Sequence, residues 1–201
     1  MSALDAPQFS VKFPTQEGVD LTPQGVVPSF HRWIQNKSLD ELLIDVANYA
    51  HVHRGPGVLL IAHEAHYSFE ETDGEAGLRY VRKRLAASDA RTRLRQTFRS
   101  ALKACELLEN DQSFEDSVRF DTSSFEFAIS NRLLAPNEEK TLEEVRDLLT
   151  EFVAWLFDGA SVELERDSRP RSMFNVRVKV SKPQEVSELL QRLGPSLSLL
   201  N

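Results

Sequence analysis

A single cysteine, Cys105, is all the thiol chemistry that 201 residues offer. No disulfide can form within the chain and no thiolate cluster can hold a metal in it, usage that fits a reducing compartment. Eight glycines, most of them beside turn residues, supply no GxGxxG or GxxxxGK[ST] loop and no GxSxG elbow, so nucleotide hydrolysis and nicotinamide chemistry lack their phosphate cradles. No apolar run approaches the ~18 to 20 residues of a membrane span. The opening MSALDAPQFS has no basic start followed by an apolar stretch. The expectation is a cytoplasmic chain with no membrane partner. Basic residues are also in deficit, 24 against 31 acids for a net charge of -7, so no general attraction to nucleic acid or anionic lipid is expected.

What remains is a chain with 41% hydrophobic and 8% aromatic residues, enough for a real core. Phe9, Val11 and Phe13 alternate as in a half-buried strand. VPSFHRWIQN reads as a short helix with Pro28 in its first turn, and residues 42 to 84 read as a three-stranded antiparallel meander reversing at RGPG and TDGEAG. A helix from 88 to 110, capped by Ser88, carries Leu94, Phe98, Ala101, Cys105 and Leu108 on one stripe. Phe125, Phe127 and Ile129 mark another strand. Thr141 opens a second long helix to Asp158, and SVELERD with MFNVRVKV forms a hairpin before a final short helix. Hairpins separated by helices predict an α+β fold, an antiparallel or mixed sheet with three to four helices packed against it. One domain over 1–201 is expected, with 1–110 and 111–201 as the possible subdivision, since strand, helix and hairpin recur from residue 9 and from residue 118.

Four of the five histidines fall in HVHRGPGVLLIAHEAHY, residues 51–67. A tight reversal at Gly55 to Gly57 would put Asp45 opposite His66, Ala47 opposite Glu64 and Tyr49 opposite Ala62. One face would then carry Asp45, Tyr49, His51, His53, Glu64 and His66, with Leu59 and Ile61 on the other. Imidazoles beside carboxylates suit zinc, iron or manganese, which makes Asp45, His51, His53, Glu64 and His66 the metal candidates. The ordinary reading is a solvated sheet face. HEAH is one residue short of HExxH, and the next strand can pair so that Glu64 faces Lys83 and Ser68 faces Arg79.

Residues 79–103 hold nine Lys and Arg and one acid, Asp89. Arg79, Arg82, Lys83, Arg84, Arg91, Arg95 and Arg99 are the anion-binding candidates, because forked guanidinium groups grip phosphate. The competing reading pairs this run with the chain's own acidic helix, Glu138 to Glu151. Leu197, Leu199 and Leu200, in the tail beyond Gly194 and Pro195, are candidates for docking a partner. Together these features predict a non-catalytic accessory or adaptor protein that binds another protein or a second copy of itself, with no cofactor and no nucleic acid partner. The alternatives are a metal-dependent enzyme or metal-binding protein using a divalent ion at the histidines, and an anion or RNA binder using the arginines.

Overall fold

The computed structural model describes residues 2–6, 8–53, 55–84, 89–114, 118–169 and 172–195. Its strands are β1 (Phe9–Pro14), β2 (Leu43–Asn48), β3 (Val58–Ala62), β4 (Ala65–Thr72), β5 (Glu75–Arg82), β6 (Ser124–Ile129), β7 (Val162–Arg166) and β8 (Phe174–Val180). The helices are α1 (Val27–Asn36), α2 (Ala90–Glu109), α3 (Glu139–Leu156) and α4 (Val186–Leu193). All eight strands join one sheet in the order β2-β3-β4-β5-β1-β6-β8-β7, and every neighbouring pair is antiparallel. The fold is α+β. The strand following each helix-bearing excursion returns beside the strand that began it: β5 pairs with β1, and β8 with β6. β1 and β6 pair in the interior of the sheet, so residues on both sides of 110 share it.

The meander has four strands, not three. VLLIAHEAHYSFEE does not run straight through; it reverses at His63 and Glu64, where His63 N–H donates to Leu42 O and Lys83 N–H to Glu64 O, each at 2.9 Å. The physical cause is a change of pleat parity. Val58, Leu60 and Ala62 are buried, and so are Ala65, Tyr67 and Phe69, a sequence that no single strand can present on one face. The β2–β3 connection is also wider than a tight turn. Residues 49–57 form it, with Tyr49 N–H donating to Gly57 O at 2.8 Å, and Asp45 lies opposite Ile61 rather than His66. Gly57 has φ +64, and a Cβ there would come within 2.1 Å of Phe69 O, so only glycine fits. Ser68 does face Arg79.

The inward pleat of the central strands supplies Phe9, Val11, Phe13, Tyr80, Phe125, Phe127 and Val176, all buried. Phe98 of α2 seats among them, its ring 6.1 Å from Phe13, 5.5 Å from Phe125 and 5.1 Å from Phe152 of α3, in edge-on arrangements that aromatic quadrupoles favour. Cys105, also on this stripe, is buried, and burial pushes its thiol well above the ordinary value. The α2 cap is Asp89, whose Oδ1 accepts from Thr92 N–H at 3.0 Å; Ser88 lies outside the described residues. α3 begins at Glu139, two residues before the expected Thr141, whose hydroxyl instead donates to Pro136 O at 2.6 Å. α1 is tied to the end of α2 by Ser29 Oγ donating to Asp111 Oδ2 at 2.6 Å. Glu41, in the turn between α1 and β2, accepts from Tyr67 OH at 2.5 Å, Ser100 Oγ at 3.0 Å and Tyr80 OH at 3.2 Å. Helices and inward pleat thus form one layer on one side of the sheet. No helix among the described residues is long and apolar enough to cross a membrane.

Because Phe98 bridges both long helices to the sheet, Phe98→Ala should cost about 3 to 5 kcal/mol in chemical denaturation. A loss under about 1 kcal/mol would mean that this stripe is not core.

Candidate functional site

The outward pleat can be followed strand by strand from the pairing. One row runs Ala47, Leu59, Ser68, Arg79, Lys12, Glu126, Arg177, Glu165 across all eight strands, and the row beside it runs Asp45, Ile61, His66, Val81, Ser10, Ala128, Asn175. These rows divide the face in two. From Glu70 of β4 to β7 it is ionic; over β2 and β3 it is mainly apolar, bordered by His66 and Ser68 of β4.

In the ionic half, Arg79 lies between two carboxylates, Nε donating to Glu70 Oε1 at 2.8 Å and Nη2 to Glu126 Oε2 at 2.7 Å. Glu126 also accepts from Asn175 Nδ2 at 3.0 Å and from Arg177 Nη2 at 3.4 Å, while Glu70 accepts from Ser68 Oγ at 3.2 Å. Lys12 is only 1% exposed; its ammonium donates to Glu75 O at 3.0 Å and lies 4.0 Å from Glu70. Burial pulls the Lys12 ammonium below its ordinary pKa, with Glu70 resisting and Arg79 adding to the effect. Burial also opposes the charge of Arg79, but Glu70 and Glu126 outweigh it and hold the guanidinium more firmly protonated than usual. For Glu126, burial favours the neutral acid; Arg79 and Asn175 prevail and keep its pKa below the usual carboxylate value.

The cover over this half is the chain's own hairpin tip. Glu75 of β5 receives two hydrogen bonds from Arg177 of β8, at 3.1 and 2.7 Å, although β1 and β6 lie between those strands. Asp73 in the β4–β5 turn likewise accepts from Arg169 beyond β7 at 2.7 Å. The tip therefore arches over the sheet, and a polar cleft of about 210 Å³ lies beneath it, lined by Asp73, Glu126, Asp167, Arg169 and Arg177 among others. Gly77 permits the arch: a Cβ there would lie 2.5 Å from Phe13 O and 3.1 Å from Lys12 Cε.

Over the other half no described element packs. Ile44 is the extra residue where the β2–β3 register shifts between Leu43 and Asp45. Leu43 and Val46 pack on the core, which leaves Ile44 turned away from it and 54% exposed; Tyr49, past the other end of β2, is 43% exposed. Leu59, Ile61 and Val81 are half-buried beside them. β2 is an edge strand, yet its ladder is guarded: Asp45 Oδ1 accepts from the Val46 N–H at 2.8 Å, which blunts the edge against strand addition.

The metal candidates do not converge. His51 and His53 are exposed in the 49–57 connection, and Asp45 is separated from His66 by Ile61. Glu64 lies in the β3–β4 turn, bound to its neighbour His63 Nδ1 at 2.7 Å. Among the described residues no group of three His, Cys, Asp or Glu could hold a metal ion. Leu59 and Ile61, expected opposite Asp45 and Tyr49, share their face because the observed register differs from the tight-turn one. Burial, then Lys83, lowers the pKa of His66.

The arginine-rich run is used within the chain. Arg79 is buried in the ionic network. Arg82 Nε donates to Arg84 O at 3.2 Å, Lys83 Nζ to Ala62 O at 2.6 Å, and Arg84 Nη1 meets His63 Nε2 at 3.0 Å. The acidic helix takes one of them, Arg91, through Glu151 at 2.8 Å. Arg95 and Arg99 turn instead to α4, donating to Leu193 O and to Gly194 O at 3.0 and 2.7 Å, where cations complement the carbonyl end of a helix. Leu197, Leu199 and Leu200 lie outside the described residues. Lys12, Glu70, Glu126 and Arg177 were not among the sequence candidates. Their signal was present: each of Lys12, Glu126 and Arg177 is a lone charge between two large apolar strand residues.

Glu126→Gln should cost about 3 to 5 kcal/mol, because it strips a buried guanidinium of one partner. With its native pKa lowered, Glu126 contributes fully above its unfolded value near 4.5, and the contribution is lost as pH falls through the lowered native value. Urea melts from pH 6 to 3 should therefore fall more steeply for wild type than for the variant; parallel curves would contradict the assignment. Compared with protein-family models, curated proteins and solved structures, the chain matches none.

Proposed function

We propose that this chain acts by binding a protein, with the apolar half of the outward sheet face as the docking surface. The observation that carries the reading is the apolar content of this face, with Ile44 and Tyr49 exposed and Leu59, Ile61 and Val81 half-buried between polar residues, on a sheet whose centre is covered by its own hairpin tip. Exposed apolar side chains interspersed with polar groups are how protein interaction sites are built. The backing suits the role: β3, β4 and β5 are held between other strands, so the patch is ordered before a partner arrives and little entropy is lost on docking.

A photo-crosslinking amino acid at position 61, in cells that express the full chain, tests this. A discrete protein adduct is expected from position 61 and none from position 143 on the exposed side of α3. The captured protein, purified, should bind wild type with a Kd in the micromolar range or tighter, and at least tenfold more weakly to Leu59→Asp. Equal labelling from both positions, or no adduct from position 61, would exclude this face.

A further inference from the structure

Resting on the docking reading above, we infer that the occupant of the apolar half is a second copy of this chain, stacked face to face about a twofold axis that runs along β3. The argument is the arrangement of side chains on either side of that strand. In one row Asp45 and His66 flank Ile61; in the next Ala47 and Ser68 flank Leu59; in the third Tyr49 and Glu70 flank Gly57. Two sheets packed face to face lie about 10 Å apart with their side chains interleaved. A dyad parallel to β3 stacks Leu59 on Leu59 and Ile61 on Ile61. It also exchanges left for right, which brings each Asp45 over the imidazole of the other copy's His66 and each Ala47 over the other Ser68.

The Asp45 row thus sets a carboxylate acceptor over an imidazole, twice over, as an isologous interface requires. Gly57 gives the Tyr49 rings room at the third row, and a side chain is barred there by Phe69 O. The guarded edge points the same way. With the Val46 N–H taken by Asp45, β2 is unsuited to extending the sheet, and its exposed apolar residues are left to bind through side chains across the face.

Sedimentation equilibrium of the full chain should give twice 22.8 kDa, with a Kd below about 10 µM, a modest affinity for an interface of this kind. Ile61→Asp should leave a folded monomer. Asp45→Lys should weaken self-association at least tenfold, and adding His66→Glu should bring it back to within about threefold, because reversed charges still meet across the dyad. The readout is self-association, which an ion pair formed across β3 within one chain would not restore. A monomer at 100 µM, or a dimer indifferent to both Ile61→Asp and the charge reversal, overturns the self-pairing. A monomer whose position 61 crosslinks to a different protein also overturns it while leaving the docking face intact. No adduct at all would remove both.

Discussion

Everything distinctive about the sheet's outer face follows from the placement of Lys12. An ammonium at the centre of an eight-stranded sheet, 1% exposed, is tolerable only if carboxylates and carbonyls surround it, because an isolated buried charge costs several kcal/mol. Glu70, Glu126 and the carbonyl of Glu75 meet that need, and to deliver the last of these the β4–β5 tip must bend over β1. Arg177 fastens it there. The arch, the cleft beneath it and the covering of the sheet's centre are consequences of a single buried cation.

The uncovered half is the complement of that constraint. The tip cannot cover the outward face of β2 and β3 while it is strapped to β8, and α1, which packs against β2, lies with the core. The apolar residues there sit on β2, β3 and β5, with the polar His66 and Ser68 of β4 among them. Interaction by this surface asks for no chemistry from the chain itself.

Much of this architecture was legible in the sequence. Helix stripes such as Leu94, Phe98, Ala101, Cys105 and Leu108 repeat at three and four residues, and α2 buries all five. The fourth strand of the meander was encoded too, in the switch from even buried positions at 58, 60 and 62 to odd ones at 65, 67 and 69, but that reversal lacks the Gly, Pro or Asn that normally announces a turn. The register of β2 could not be read, because it depends on a nine-residue connection (49–57) and an extra residue at Ile44. The ionic half was half-visible: VKF, FEF and VRV each set one charge between large apolar neighbours. That those charges meet under a hairpin tip is non-local, since Glu75 and Arg177 are 102 positions apart, and no periodicity within a strand carries it. The histidines misled because their clustering along the chain is a clustering around two turns, which face apart.

The covering of Lys12 by the hairpin tip is tested most directly by amine acylation of the folded chain, read residue by residue by mass spectrometry. Lys12 should react at least about a hundredfold more slowly than the exposed Lys179, since labelling requires the arch to open. Arg177→Gln, which releases the tip, should abolish most of that protection. Lys12 reacting as fast as Lys179 in the wild-type chain would contradict the account.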